Sequence, residues 1–414
     1  MTGDDVVDQE TNRLKAVKIF MVIIALSGLG MGLSDSVLGN YFRDAFDADA
    51  IQRGWIELPR ELPGVLVLFV VSSLAFLGDI RLAILSQALK IIGILVMALF
   101  SPTFDVMLLF LFIYSLGMHM FMPLYASIGM SLAKDGQFGT VMGKIHGVRQ
   151  AVTMLAAILI FVGFRFEFFS FTTPMIVNFL IAGVLYGAVL VLLIRLRSCV
   201  QEAIPEKSKF VFKKIYTKYY LLSMLFGARK QIMYVFGPWV LIELLGFGAD
   251  NMALLIIAGA GIGVFFMPLI GKWVDKFGNS RIMIIEAAVF LVIYLCYGII
   301  SAGINDGWLL GITAVTAAAI AVNIADRMTI QFGMVRSVYM RSVAETPEDV
   351  TPTLAAGMAL DHIVSIVSAI ICGYLWWELG PEYVFVFAGV LTVLNLFVAM
   401  RIRKDEVKAE ASAK

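Results

Sequence analysis

The chain has 414 residues, of which 60% are hydrophobic and 15% are charged, and its mean hydropathy is +0.90. A soluble globular domain is only about 45–50% apolar, so this composition excludes an ordinary soluble protein and predicts a polytopic membrane protein. A net charge of +1 gives no indication of a nucleic-acid partner. Cys199, Cys296 and Cys372 are too few and too scattered for a disulfide framework or a metal cluster.

Apolar runs divide the chain into twelve predicted transmembrane helices, six in each half. A hydrocarbon core of about 30 Å requires roughly 20 apolar residues in a helix. Runs of this length lie at 17–40, 56–78, 82–100, 105–132, 139–163 and 173–195, and then at 219–245, 250–271, 280–302, 308–335, 353–377 and 382–402. We therefore predict an all-α membrane protein with two pseudo-symmetric six-helix bundles, at 17–195 and 219–402. An N-terminal tail (1–16), a linker (196–218) and a C-terminal tail (403–414) complete the chain.

The distribution of basic residues predicts the orientation of these helices. With both termini in the cytoplasm, the outer loops contain only Arg43, Arg53 and Arg165, whereas most other Lys and Arg residues lie in the inner tails and loops. This asymmetry follows the positive-inside rule. We expect a protein of the plasma membrane whose two termini lie in the cytoplasm. We also expect it to be a monomer that contacts membrane lipids. A basic inner linker between two halves is typical of a duplicated transporter.

A short charged turn lies between the predicted helices 8 and 9. It contains Gly271, Asp275, Lys276, Gly278 and Arg281 in the order glycine, three residues, acid, base, one residue, glycine and a further base. This order, together with the six-plus-six arrangement, resembles the major facilitator superfamily. The resemblance implies a secondary transporter that works by alternating access, in which this turn latches the cytoplasmic ends of the two halves.

A second copy of the signature is expected after helix 2, where the sequence Ala75-Phe76-Leu77-Gly78-Asp79-Ile80-Arg81 stands. We align Asp79 with Asp275. Ala75 then stands where the second copy has Gly271, and the base Arg81 lies two residues after its acid, whereas Lys276 directly follows Asp275. On this alignment the first copy is degraded, and the second half is expected to control the conformational change. Asp79 and Arg81 are retained as latch candidates beside the five residues of the second turn.

Ionisable residues inside predicted spans are candidates for the transport site, since each costs about 2.5–3.5 kcal/mol at the centre of a membrane helix. They are Asp35, His119, Arg149, Arg229, Lys230, Asp326, Arg327, Asp361 and His362. The resemblance implies that the helices carrying them line or flank a central cavity. Lys90 is the exception, because helix 3 is peripheral in the family, and we expect it to snorkel or to make a structural ion pair.

Several of these residues are basic and favour an anionic substrate. Arg149 and Arg229 lie near the midplane, and a guanidinium binds carboxylate or phosphate with two hydrogen bonds. Neighbours on a helix point about 100° apart, so we expect Arg229 rather than Lys230 to face the cavity. In the alternative, each arginine neutralises a carboxylate, as in the pairs Arg149 with Asp35 or Arg229 with Asp361.

Asp361 is the first choice for proton coupling, because the proton affinity of a midplane carboxylate is tuned by burial and by nearby bases. His119 and His362 could extend a proton relay, or could simply donate hydrogen bonds between helices. Three charged residues share one face at the outer start of helix 2, namely Glu57, Arg60 and Glu61. We interpret them as a solvated helix end in preference to a gate on the outer side.

The sequence thus predicts a transporter, not an enzyme, of a small organic anion coupled to protons. No phosphate-binding loop of the GxxxxGK[ST] type occurs, so ATP bound to this chain would not drive transport. We expect no cofactor and no bound metal, although methionines beside His119 leave a soft-metal alternative open. The alternatives are proton-driven efflux of lipophilic compounds, with Asp35 and Asp361 as binding carboxylates, and a non-transporting receptor or scaffold on the same fold.

Overall fold

The computed structural model describes residues 3–100, 103–132, 138–200, 212–309, 312–329, 332–345 and 349–412, and a minority of side chains within these ranges is not described. The described residues form helices and connecting turns, with no strand among them. The helices are α1 (Gly3–Ser34), α2 (Leu38–Phe46), α3 (Ala50–Ser73), α4 (Asp79–Leu99), α5 (Phe104–Ser131), α6 (Phe138–Arg165), α7 (Val177–Arg197), α8 (Thr217–Trp239), α9 (Ala249–Phe277), α10 (Asn279–Asn305), α11 (Ile312–Thr329), α12 (Gly333–Val343), α13 (Val350–Glu378) and α14 (Pro381–Ser412).

Helices long and apolar enough to cross a membrane confirm the predicted class. Within the described ranges there are eight such segments, and each coincides with one predicted span. Large apolar side chains point outward from them, including Val184 at 72% exposure and Phe397 at 58%, as expected of surfaces that face lipid. The predicted spans 56–78, 219–245, 250–271 and 308–335 fall largely on α3, α8, α9 and α11. Their membrane crossing, and with it the count of twelve, stays a prediction.

Three predicted spans contain a break in the regular helix. A 3-10 turn at Asp35–Val37 separates α1 from α2. The end of α8 contains Pro238 and passes into a π-helix at Val240–Leu244. The predicted span 56–78 leaves the α-helix after Ser73 and contains a 3-10 turn at Ala75–Leu77. Breaks of this kind expose backbone groups, which membrane proteins place where protein or a polar cavity can satisfy them.

The chain separates into two compact units. Unit 1 comprises Met1–Asp47, Leu62–Ser208 and Ala249–Leu254, and unit 2 comprises Ala48–Glu61, Lys209–Gly248 and Leu255–Lys414. The division does not follow the chain simply, because the first half of α3 belongs to unit 2 and its second half to unit 1. Residues 48–61 are therefore described with the helices of unit 2.

The helices pack in the same pattern within each unit. In unit 1, α4 packs against α5 and α7, and α1 packs against α6 and α7. In unit 2, α10 packs against α11 and α14, and α8 packs against α13 and α14. Each pairing of the first set recurs six predicted spans later in the second. This repeated packing is what an internal duplication of a six-helix bundle would produce.

The end of the predicted linker is anchored to unit 2. Lys213 Nζ and the Tyr216 hydroxyl both donate to Oδ2 of Asp349 at 2.7 Å, and the Glu345 amide donates to the Tyr216 oxygen at 3.0 Å. The hydrogen bond to Asp349 raises the pKa of Lys213 above its ordinary value. The linker therefore reaches α8 through a fixed polar contact.

Candidate functional site

Two glycines form the same sharp junction in the two halves of the chain. Gly78 lies between a 3-10 turn at Ala75–Leu77 and α4, and Gly278 lies between α9 and α10. Gly78 has φ 82° and ψ 158°, and Gly278 has φ 82° and ψ 159°. This region of backbone space is open almost only to glycine. The two turns are thus equivalent in structure, although their sequences differ.

This equivalence corrects the expected alignment of the two turns. If Gly78 corresponds to Gly278, then Arg81 corresponds to Arg281, since each base stands three residues after its glycine. Asp79 follows its glycine directly, whereas Asp275 stands three residues before the glycine, so the alignment of Asp79 with Asp275 is wrong. The position equivalent to Asp275 is Ala75. The first copy keeps the turn and its base but has no acid at the family position.

The remaining latch candidates have different surroundings. The Asp79 carboxylate, at the first residue of α4, accepts a hydrogen bond from Ser127 Oγ on α5. Arg81, Lys276 and Arg281 are exposed to solvent. Gly271 and the Asp275 side chain are outside the part of the chain whose side chains the structure describes. Asp79 therefore joins two helices of unit 1, and it does so from a position that the family signature does not use.

Replacing either turn glycine by alanine is expected to destabilise the protein. Gly78→Ala and Gly278→Ala should each cost about 1–3 kcal/mol, because a Cβ is strained at this backbone conformation. The matched control is Gly187→Ala in α7, where a Cβ would meet no atom within 4 Å. Thermal denaturation in detergent should show lower midpoints for the two turn variants and an unchanged or raised midpoint for the control. Equal midpoints for all three would contradict the strained turn.

A pocket in unit 1 brings together residues of α1, α4, α5 and α6. Its polar lining consists of Ser27, Lys90, Tyr125 and Arg149. The rest of its lining is apolar and consists of Ile24, Gly28, Met31, Met118, Phe121 and Met122. All four polar groups can donate hydrogen bonds, and no described lining residue is acidic. The pocket therefore has the electrostatic character of an anion site.

Lys90 is buried in this pocket, with 3% of its surface exposed. Its Nζ donates to Ser27 Oγ at 3.1 Å and lies 4.7 Å from the ring centre of Phe121 and 4.3 Å from that of Tyr186. Among the described residues no carboxylate lies within ion-pair distance of it. The expectation that Lys90 snorkels or makes a structural ion pair is wrong, because the side chain ends inside the bundle beside aromatic rings.

Arg149 is half-buried on α6 and is oriented by one tyrosine. Its guanidinium donates to the Tyr125 hydroxyl and lies over the same ring, 4.7 Å from its centre. No described carboxylate forms an ion pair with it, so the alternative pairing of Arg149 with Asp35 does not occur in this structure. One hydroxyl and one ring leave most of the guanidinium donors available.

The other two candidates in unit 1 lie outside the lining of this pocket. His119 is buried, and its Nδ1 lies 3.1 Å from Ser115 Oγ and 3.0 Å from the Ser115 carbonyl oxygen, one turn earlier on α5. Asp35 is half-buried in the 3-10 turn between α1 and α2. Their proposed roles in proton relay and binding stay predictions.

Arg229, in contrast, belongs to the interior of unit 2. It is fully buried, and its Nη2 donates to Glu286 Oε1 at 2.7 Å. Arg336 on α12 donates to the same carboxylate at 3.1 Å and stacks on Phe226, 3.3 Å from the ring centre. The expectation that Arg229 faces the cavity is wrong because Arg229 is fully enclosed. Lys230 keeps a partly exposed side chain and contacts α13 through Asp361. The alternative pairing of Arg229 with Asp361 is also wrong.

Lys230 and the α13 doublet form two neighbouring polar pairs, the Lys230–Asp361 ion pair and the contact of His362 with Glu61. Lys230 Nζ lies 2.6 Å from Asp361 Oδ2, and His362 Nδ1 lies 2.8 Å from Glu61 Oε2. A Cβ at Gly227 would meet Asp361 Oδ1 at 1.9 Å, so only glycine allows this close approach of α13 to α8. The four side chains of these two pairs are each partly exposed, with between 12% and 29% of their surface accessible. The pairs are therefore partly accessible to protons and water.

The α11 doublet is less exposed. Asp326 is buried, and its Oδ1 has no hydrogen-bond partner among the described residues. Arg327 Nε donates to Asn323 Oδ1 at 3.0 Å, and Asn323 in turn donates to the Tyr297 hydroxyl at 3.1 Å. The two neighbours thus point to different surroundings, as helical geometry predicts.

The charged residues at the start of α3 are buried, which corrects the expected solvated helix end. Glu57 is fully buried and accepts hydrogen bonds from Arg53 Nη1 at 2.5 Å, Arg60 Nη1 at 2.9 Å and Gln231 Nε2 at 2.6 Å. Arg60 also lies over the ring of Tyr234 at 4.7 Å. These contacts fix the first half of α3 within unit 2.

Sequence reasoning missed three residues that organise these sites. Lys90 was set aside because of the helix that carries it, although its depth in a predicted span was the same signal that identified Arg149. Glu286 also lies within a predicted span and was not considered. Arg336 stands one residue beyond the predicted end of its span, at 335. Burial depth alone would have found the first two, but no sequence signal pairs Arg336 with Glu286.

Comparisons with known proteins agree with this architecture. The model of the Major Facilitator Superfamily matches residues 20–350. Among solved structures, the nucleoside transporter NupG has a TM-score of 0.72 at 14% identity, with 94% of this chain and 99% of that chain covered. A bacterial homologue of the iron transporter ferroportin has a TM-score of 0.71 at 14% identity, with 94% and 98% covered. A POT family peptide transporter has a TM-score of 0.70 at 12% identity, with 94% and 96% covered. These identities show the fold alone. No curated protein sequence matches the chain.

Proposed function

Because the chain belongs to the major facilitator superfamily, we propose that it is a secondary active transporter that moves a small organic anion by alternating access, with protons as the coupling ion. The family supports a membrane transporter, and a non-transporting receptor or scaffold on the same fold is the alternative that the transport experiment below tests. Substrate class and coupling rest on the charged groups of the two units.

The observation that supports an anion is the pair of cations in the pocket of unit 1. Lys90 and Arg149 line one pocket and have no ion-pair partner among the described residues. In unit 2, Arg229, Arg336 and Lys230 each contact a carboxylate, whereas Arg327 donates to Asn323. A cation kept in a low-dielectric interior without a counter-charge is costly. A bound anion would supply that counter-charge.

Proton coupling is assigned to the Lys230–Asp361 pair of unit 2, with the Glu61–His362 pair beside it. A carboxylate paired with a lysine can take up a proton when the pair separates and release it when the pair re-forms. Both pairs are partly exposed, which fits proton exchange better than the closed Arg229–Glu286–Arg336 cluster does. Asp326, His119 and Asp35 are reserve candidates.

The wider assignments follow from the same proposal. The duplicated bundles at 17–195 and 219–402 would form the two moving halves, and the turns at Gly78 and Gly278 would latch their inner ends. Both termini would be cytoplasmic in a monomeric protein of the plasma membrane. The basic inner loops support this orientation through the positive-inside rule.

Transport by purified protein in liposomes tests the proposal. With an inward proton gradient, we expect uptake of organic anions such as benzenesulfonate or hexanoate, and none of a cationic dye. A sulfonate is included because it does not cross a bilayer as the neutral acid. Arg149→Gln should lower anion uptake about 10- to 100-fold, the value of one or two charge-assisted hydrogen bonds.

The matched control is Arg165→Gln, at an exposed arginine at the far end of the same helix, which should keep wild-type uptake. Movement of the dye alone would overturn the anion proposal in favour of lipophilic-compound efflux. Movement of no solute under either direction of the gradient would favour a non-transporting role.

A further inference from the structure

We propose that the substrate of the unit 1 pocket is an amphipathic organic monoanion, with one carboxylate-like group and an apolar body that carries neither amino nor hydroxyl groups. This inference rests on the proposed function and specifies the substrate class of the same site. It depends on the polar groups that line the pocket and on the inability of the remaining, apolar side chains to form strong hydrogen bonds.

The polar lining recognises one kind of group. Lys90 has two further N–H donors beyond the one used by Ser27, and Arg149 has four beyond the one used by Tyr125. These donors can hold the two oxygens of a carboxylate through charge-assisted hydrogen bonds. Among the described lining residues, no carboxylate, amide or imidazole is present to accept a hydrogen bond from an ammonium group.

The apolar lining selects the body of the substrate. Met31, Met118, Met122, Phe121 and Ile24 offer dispersion contacts and only weak thioether acceptors. A hydroxyl or amino group placed against them would lose its water without gaining a partner, which selects strongly against solutes that carry one. The flexible methionines can adapt to alkyl or aryl bodies of different shape.

The same composition argues against a soft-metal cargo at this pocket. Three thioethers are suitable ligands for a soft cation. Lys90 and Arg149, however, place positive charge beside them, and the described lining supplies no negative charge to offset a metal ion. The methionines are therefore assigned to the apolar body of an anion.

Binding to the purified full-length protein in detergent tests this class, with four carboxylates of one carbon skeleton. Hexanoate has an apolar body, 2-aminohexanoate adds an ammonium group, gluconate adds hydroxyls and adipate adds a second carboxylate. By isothermal titration, hexanoate should bind at least about 10-fold more tightly than each of the other three. Tighter binding of any of those three would overturn the class while leaving the anion pocket in place.

Lys90→Met provides the second measurement. It should weaken hexanoate binding about 10- to 100-fold and at the same time keep or raise the thermal midpoint, because it removes an uncompensated buried charge. A purely structural lysine would give the opposite stability result. Met118→Gln, which adds an amide to the wall, should reduce the preference for hexanoate over gluconate.

The outcomes separate the two levels of the proposal. If hexanoate and its three analogues all fail to bind while a cationic dye binds, both the anion pocket and the substrate class are wrong. If adipate or 2-aminohexanoate binds best and Lys90→Met abolishes that binding, only the class is wrong. If hexanoate binds best but Lys90→Met leaves its affinity unchanged, the pocket assignment is wrong.

Discussion

Glu286→Gln is expected to lower the free energy of unfolding by about 3–5 kcal/mol, the range for breaking a buried ion pair by removing one partner. Glu286 is fully buried and is the carboxylate that Arg229 and Arg336 share. Glutamine keeps the shape and one acceptor oxygen but not the charge. Two guanidinium groups would then face each other in the interior of unit 2 with no anion between them.

The test compares thermal midpoints of purified variants in one detergent. Glu378→Gln, at the exposed end of α13, is the matched control and should leave the midpoint unchanged. The double variant Glu286→Gln with Arg336→Gln should recover part of the loss, since one of the two repelling charges is gone. A midpoint for Glu286→Gln equal to that of Glu378→Gln would mean that the cluster contributes little to stability.

The fold was predictable from the sequence wherever hydrophobicity alone decides the structure. Eight predicted spans coincide with apolar helices, because a run of about 20 apolar residues has few alternatives to a membrane helix. The boundaries were less predictable. The predicted span 219–245 passes from α8 into a π-helix at Val240–Leu244, and the first half of α3 belongs to unit 2. Such features depend on contacts between segments that are distant in the sequence.

The candidate site shows the same limit at the level of single residues. Helical geometry predicted that the members of a charged doublet point to different partners, and Arg229 and Lys230 do so, toward Glu286 and Asp361. It could not predict which member would be enclosed, because that depends on where α10 and α13 place their carboxylates. The expectation for Lys90 failed for a related reason. It was based on the peripheral place of helix 3 in the family, but the Lys90 side chain on this helix points into the bundle.

The signature turns give a third case. The acid at position 79 invited an alignment by charge, but the backbone aligns the turns by their glycines at 78 and 278. Glycine is required by the positive φ at that position, whereas an acid can occur nearby for unrelated reasons. The backbone conformation of the glycine therefore identifies the equivalent positions of the two turns more reliably than the position of a nearby acidic residue.

Asp361→Asn is expected to abolish proton-driven accumulation while substrate exchange continues. Asparagine keeps the size of the side chain and a hydrogen bond to Lys230, but it cannot bind and release a proton. With the best-transported anion of the panel above, uptake against its gradient should fall at least about 10-fold, since the proton gradient no longer contributes free energy. Exchange of labelled for unlabelled anion should persist, because it does not require net proton movement.

Two further variants distinguish coupling from a loss of structure. Asp326→Asn removes a buried carboxylate that is a reserve candidate for coupling, and this variant should retain accumulation. The exchange variant Lys230→Asp with Asp361→Lys restores an ion pair between α8 and α13 and should recover the thermal midpoint and part of the accumulation. If Asp361→Asn still accumulates anion and Asp326→Asn does not, the coupling site belongs on α11, where one oxygen of Asp326 is buried and has no hydrogen-bond partner in the described part of the chain. In that case the Lys230–Asp361 pair would serve to hold α8 against α13 at Gly227, and not to carry the proton.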